Sequence, residues 1–136
     1  MSAALAFQKA LRTRLVSTSA VTDLVPATNI LDRNARPAPD PSIIIGEDQV
    51  LEDDGLSRSR ERVFATVHIW KQEASLTGVK AIGSAIRTAI HSARLTLDAG
   101  FHCGDCHVSD MRFLRDPDGE TSHGVVTVEA MLETLT

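Results

Sequence analysis

The stretch from Arg58 to Lys71, RSRERVFATVHIWK, constrains the fold more than any other part of the chain. Val63, Ala65, Val67 and Ile69 fall on one side of an extended backbone. Arg60, Arg62, Phe64, Thr66, His68 and Trp70 fall on the other. A period of two is the spacing of a strand, because successive side chains alternate across the pleat. One face is wholly apolar and must be covered. The other passes from charged to aromatic, the pattern of a half-covered surface.

Two amphipathic helices can provide the cover. Ala4, Phe7, Leu11 and Leu15 form a one-sided stripe in a helix predicted over Ser2 to Val16, with Ser2 as its N-cap. Ser17-Thr18-Ser19 ends it. Leu76, Val79, Ile82, Gly83, Ile86, Ala89, Ile90 and Ala93 keep helical spacing from Ser75 to Ala93. The small residues Gly83 and Ala89 permit a close approach to a sheet.

Further strands are predicted at Ser42 to Val50, with its β-branched Ile43-Ile44-Ile45, at Val108 to Arg115, and at Thr121 to Thr136. The last two flank Asp116-Pro117-Asp118-Gly119, which fits a type I turn. Asn29 to Asp32 is a doubtful short strand. Arg36 to Pro41 holds three prolines and reads as an extended loop, since proline lacks the ladder N–H. Leu51 to Ser59 reads as a polar hairpin tip. The expected fold class is α+β: a four-stranded, mainly antiparallel sheet with two helices packed on one face, in a single domain over residues 1–136.

Composition narrows the functions. The chain has 136 residues and a net charge of −4. Tight nucleic-acid binding is disfavoured, because phosphate contacts usually require a basic surface. No apolar run approaches the ~20 residues that span a bilayer, so no membrane partner is expected. Met1 to Thr22 contains Lys9, Arg12 and Arg14 and no acid. That is the composition of a transit peptide, but its apolar positions are periodic, and it is read as the first helix.

The loudest chemical signal is Cys103-Gly104-Asp105-Cys106-His107, the C-x-x-C-H string of a c-type haem attachment. Its neighbours Gly104, Asp105, Ser109 and Asp110 are polar, unlike the walls of a haem pocket. A zinc site would need two more ligands at a paired spacing, and none is present. On an extended backbone Cys103 and Cys106 point to opposite faces with Cα atoms ~10 Å apart, beyond the roughly 7 Å reach of a disulfide. They are expected to be two thiols where a strand begins.

The histidines His68, His91, His102, His107 and His123 accompany no nucleophile motif, and no glycine-rich phosphate loop occurs. Glu47-Asp48 and Glu52-Asp53-Asp54 lack calcium-loop spacing and read as a solvated hairpin tip. Arg58, Arg60 and Arg62 form a one-faced stripe, serving either as solvated edge charges or as an inter-subunit contact. No catalytic residue, metal ligand or cofactor is expected.

Four strings and their order resemble a known family. They are Pro41-Ser42-Ile43-Ile44-Ile45-Gly46-Glu47 after the proline-rich loop; His68-Ile69-Trp70; the helix Val79 to Ile90; and Leu114-Arg115-Asp116-Pro117-Asp118-Gly119 leading into His123-Gly124-Val125-Val126. From about Ala4 to Leu132 the chain resembles the tail terminator, or tail completion, proteins of long-tailed bacteriophages and gene transfer agents. The cysteine pair is not part of that pattern. The resemblance implies a structural virion protein, made in the host cytoplasm, that forms a hexameric ring on the head-proximal end of the tail tube. The ring would end tube polymerisation and join the tail to the head connector. Its partners would be the tail tube protein and a head-completion (stopper) protein, with DNA crossing the lumen without specific binding.

Within that reading, Asp53, Asp54, Arg58, Arg60, Arg62, Phe64 and Trp70 are the expected subunit or partner interface. One alternative is a head-completion stopper or adaptor of the same connector. Another, of a different class, is a small redox or metal-binding domain using Cys103 and Cys106.

Overall fold

A computed structural model of the chain describes residues 1–53 and 55–135. Helix α1 spans Ala3–Val16, the four-residue α2 spans Ser19–Thr22, and a turn of 3-10 helix at Ala27–Asn29 leads into strand β1, Ile30–Leu31. Strands β2 (Ser42–Glu52) and β3 (Arg60–Lys71) form a long hairpin. Helix α3 (Thr77–His91) then crosses to the second hairpin, β4 (Phe101–Arg115) and β5 (Ser122–Thr134).

The five strands are ordered β1-β2-β3-β5-β4. All pairings are antiparallel except β1 with β2, which is parallel and only two residues long. The doubtful strand at Asn29 to Asp32 therefore exists, as a short parallel addition beside Ile43 and Ile44.

Both long helices cover the same face of the sheet. Phe7, Leu11 and Leu15 of α1 and Val79, Ile86 and Ile90 of α3 are buried with Val63, Val67 and Ile69 of β3 and Val126, Val128 and Leu132 of β5. Strand β5 alternates buried and half-buried over its first twelve residues, and β3 does the same from Val63 to Trp70. The close approach expected at Gly83 is present: a methyl group there would meet the Phe113 ring at 3.0 Å.

The helix ends are held by side chains. The Ser2 Oγ accepts from the Leu5 N–H at 3.1 Å, the expected N-cap. Arg14 of α1 donates to the Ala89, Ala93 and Arg94 carbonyls at 2.9, 2.9 and 3.2 Å. Those carbonyls lie at and just past the α3 C-terminus, where acceptors lack helical partners and a cation is favoured. Arg12 donates to the Ile30 carbonyl, and Lys9 pairs with Asp98 at 2.8 Å. The basic residues near the N-terminus thus tie α1 to the rest of the fold.

Strand β4 begins seven residues earlier than expected and contains the whole C-x-x-C-H string. Its pairing with β5 slips once between Cys103 and Asp105 and again between Val108 and Asp110, leaving Gly104 and Ser109 as extra residues. Each such bulge reverses the side-chain alternation beyond it. The reading that placed Cys103 and Cys106 on opposite faces is therefore corrected. They sit opposite Leu132 and Ala130, both buried, and face the helices together. Phe101, Cys103, Cys106, Val108, Met111 and Phe113 all join the core, at steps of two, three, two, three and two residues.

Candidate interaction surface

The β2–β3 hairpin closes through a turn whose described residues are Asp53 and residues 55–59. The Asp53 N–H donates to the Arg60 carbonyl and the Arg58 N–H to the Gly55 carbonyl, both at 3.2 Å. Arg58 has φ +56°, in the left-handed region that non-glycine residues rarely adopt. It therefore belongs to the turn and not to the strand, and the arginine stripe shortens to Arg60 and Arg62. Each has an acidic neighbour: Arg60 lies 3.5 Å from Asp53, and Arg62 lies 3.5 Å from Glu129 of β5. At the turn Leu56 is 96% exposed, and Val50 and Leu51 are exposed beside it. Asp54 lies outside the described residues.

The face of the sheet away from the helices carries Phe64, Thr66, His68 and Trp70 from β3, beside His123, Val125, Thr127, Glu129 and Met131 from β5. All are half-buried. Phe64 and Trp70 thus lie on the open face, as alternation predicts. Trp70 stacks on His123 with ring centroids 3.7 Å apart and planes 8° from parallel.

His68 Nδ1 lies 2.9 Å from His123 Nε2, and His68 Nε2 lies 2.9 Å from Glu47 Oε1. A carboxylate only accepts, so His68 donates through Nε2. Its Nδ1 then accepts from the Nε2–H of His123 when His68 is neutral. The three groups form a directed chain, and protonating both rings would oppose N–H to N–H and break it.

The electrostatics agree with that direction. The bond from His68 and a backbone bond hold the Glu47 carboxyl below its ordinary value. Burial, followed by the neighbouring His68, pushes His123 below its ordinary value. Residues Ile44 to Glu47, the His68 and Trp70 rings and the loop from Asp32 to Ala38 enclose an open groove of about 770 Å³.

This chain of groups was not legible in the sequence. By its sequence Glu47 belongs to a solvated acidic tip, and the histidines accompany no nucleophile motif. A bulge in β2 between Ile45 and Asp48 brings Glu47 to His68, and register with β5 brings in His123. Only the shared face of His68 and Trp70 was visible beforehand.

Cys103 and Cys106 are free thiols, Cys103 buried and Cys106 half-buried. They perturb each other: the Cys106 partner draws Cys103 down, and Cys103 together with burial pushes Cys106 up. His107 pairs with Glu129 and faces the open side, away from both thiols. The string thus splits between two faces of one strand and cannot present thiols and imidazole to one porphyrin. Among the described residues no group of three or more His, Cys, Asp or Glu side chains is placed to hold a metal ion. The arrangement offers recognition surface: a hairpin turn with an exposed leucine, paired charges and a stacked aromatic patch.

Comparison with known proteins gives the following. The family model described as "Tail completion protein gp17" matches residues 9–133. A chain from the virion of a native gene transfer agent particle is similar in structure, with TM-score 0.85 and 18% identity over 97% of this chain and 98% of that one. The bacteriophage SPP1 gp17 protein is similar at TM-score 0.62 and 20% identity, over 98% of this chain and 91% of that one. No curated protein matches in sequence.

Proposed function

The chain belongs to the tail completion protein gp17 family, and from that membership we propose that its copies close into a hexameric ring on the head-proximal end of a tail tube. The family is structural and non-enzymatic, and its members are components of phage-like particles. In the proposed role the ring stops tube polymerisation, offers a docking surface to the head connector, and lets DNA pass through its lumen. An acidic chain suits the last task, since like charge repels the phosphate backbone.

The observation that carries the ring reading is the β2–β3 arm. It exposes Leu56 at 96%, with Val50 and Leu51 beside it, where a monomer gains nothing from apolar surface in water. A closed ring uses two different patches on each copy, and the exposed turn of the β2–β3 hairpin supplies one of them. The contact is assigned to Asp53, Arg58, Arg60, Arg62, Phe64 and Trp70 among the described residues.

Imaging particles made without this protein tests the role. Overlong tails and full heads without tails are expected. Normal-length tails on leaking heads would point to a head-completion stopper. Normal joined particles would remove both readings.

A further inference from the structure

Charge is divided between the two layers of the fold. Residues 1–22 and 74–97 contain every α-helix among the described residues, and they carry Lys9, Arg12, Arg14, Lys80, Arg87 and Arg94 with no acid. The helical segments therefore total +6, and since the chain totals −4, the remainder totals −10. Three of the six cations are used inside the fold, by Asp98, by the Ile30 carbonyl and by the α3 C-terminus. The other three, Lys80, Arg87 and Arg94, are exposed and form no ion pair among the described residues. Lys80, Ser84, Arg87 and His91 are spaced by four, three and four residues, so they lie in one exposed line along α3. Arg94 follows just past its end.

An acidic ledge of matching length stands elsewhere on the molecule. Asp48 and Val50 of β2 pair with Ala65 and Val63 of β3, and Glu52 pairs with Glu61. Ala65 and Val63 belong to the buried face, so Asp48, Val50, Glu52 and Glu61 lie on the helix side of the sheet. Asp48, Val50 and Glu52 are nonetheless exposed, because the helices do not reach that end of β2. Glu52 directly opposes Glu61, a like-charge pair that destabilises an isolated hairpin and that a cation would relieve. Asp48 and Glu52 are separated by about 13 Å along a strand, and Lys80 and Arg87 by about 10.5 Å along a helix.

We propose that in the assembled ring the cationic line of α3 in one copy lies on the acidic ledge of the next, Lys80 and Arg87 meeting Asp48, Glu52 and Glu61 around Val50. The proposal rests on the ring reading and identifies two of its patches. A second copy is the occupant because this chain itself carries the complementary charge at the right spacing. The two patches differ, as a head-to-tail contact requires. Exposed charges of this kind set register and partner choice more than raw affinity.

A charge swap in the producing strain tests it, read as the yield of joined, tailed particles. Lys80→Glu with Arg87→Glu, and separately Asp48→Lys with Glu52→Lys, should each lower the yield about tenfold. Combining all four should restore it to within about threefold of the wild type. Both pairs leaving the yield unchanged would overturn the contact. So would losses that the combination fails to restore, which would assign the α3 line to a connector protein or to nucleic acid. Deletion of the protein separates this contact from the ring. If deletion leaves tails normal, the ring and the contact fall together. If deletion gives aberrant tails and the charge variants assemble normally, only the contact falls.

Discussion

The two faces of one sheet have been built for different ends. On the helix side, β3 from Val63 to Ile69 and β5 from Gly124 to Leu132 present an apolar surface, sealed by Phe7, Leu11, Leu15, Ile86 and Ile90. On the other side the same strands present Phe64, His68, Trp70, His123, Val125 and Met131, all half-buried and covered in part by the loop from Asp32 to Ala38. The first face holds the fold together by removing apolar area from water. The second keeps groups at intermediate exposure, joined by directed bonds and a stack, where a partner can still alter them. Where the helices cover the sheet, a sealed surface and a half-exposed one are thus divided by the pleat itself, one residue apart along each strand.

The sharpest way to break this comparison is truncation. Leu11→Ala on the closed face should lower unfolding free energy by about 2–5 kcal/mol, the range for deleting a buried leucine side chain. Trp70→Ala on the open face should lose less than about 2 kcal/mol, since its ring is half exposed and part of its burial is already absent. Urea unfolding measures both, and equal losses would mean that the open face is as structural as the closed one.

Adding a methyl group asks the same question with smaller effects. At Gly124 a Cβ would meet Ile69 Cδ1 at 3.0 Å, within the sealed core. Gly124→Ala should cost about 1–3 kcal/mol, as overpacking does. At Gly46 a Cβ would meet the His68 ring at 2.8 Å, on the side that can move. Gly46→Ala should cost under about 1 kcal/mol, because the ring can swing aside. It should also unhook His68 from Glu47, which histidine ring NMR would report. An unchanged His68 signal would show that the ring is held more firmly than the open face implies.

The smallest expected effect is the pH dependence. His123 is depressed below 6.5 in the folded chain, chiefly by burial, so folding favours its neutral form. The stability gained is present above 6.5 and is lost as pH falls through the lowered value. Glu47 is depressed below 4.5, so its contribution is present above that value and is lost below it. The melting temperature should therefore begin to fall as pH drops past 6.5, and His123→Gln should flatten that limb. An identical profile in the variant would place the transition in other groups.

Much of the closed face was legible in the sequence, because its signals are local. The alternation from Val63 to Ile69, the stripes of both helices and the Ser2 cap depend on residues within a few positions of one another. Strand β4 was half missed for a related reason. Its apolar residues are spaced by two and three in turn, so neither a strand nor a helix period fits, and Phe101 to His107 falls outside the strand predicted from Val108. The two bulges reconcile that spacing with one buried face. The open-face chain was illegible because it depends on register between strands distant in sequence: Glu47 reaches His68 across one ladder, and His68 reaches His123 across another. The acids at Asp48 and Glu52 were read as a solvated tip because nothing local shows that a ledge continues the helix-covered face.

The placement of the bulges also has a geometric consequence. The inner strands β3 and β5 pair residue for residue, whereas β2 gains one residue against β3 and β4 gains two against β5. Each bulge bends its strand and increases the local right-handed twist, so the twist is sharpened along β2 and β4 more than along the inner pair. Gly104 and Ser109 at the outer edge therefore help set the shape of a surface whose central residues, His68 and Trp70, lie two strands away.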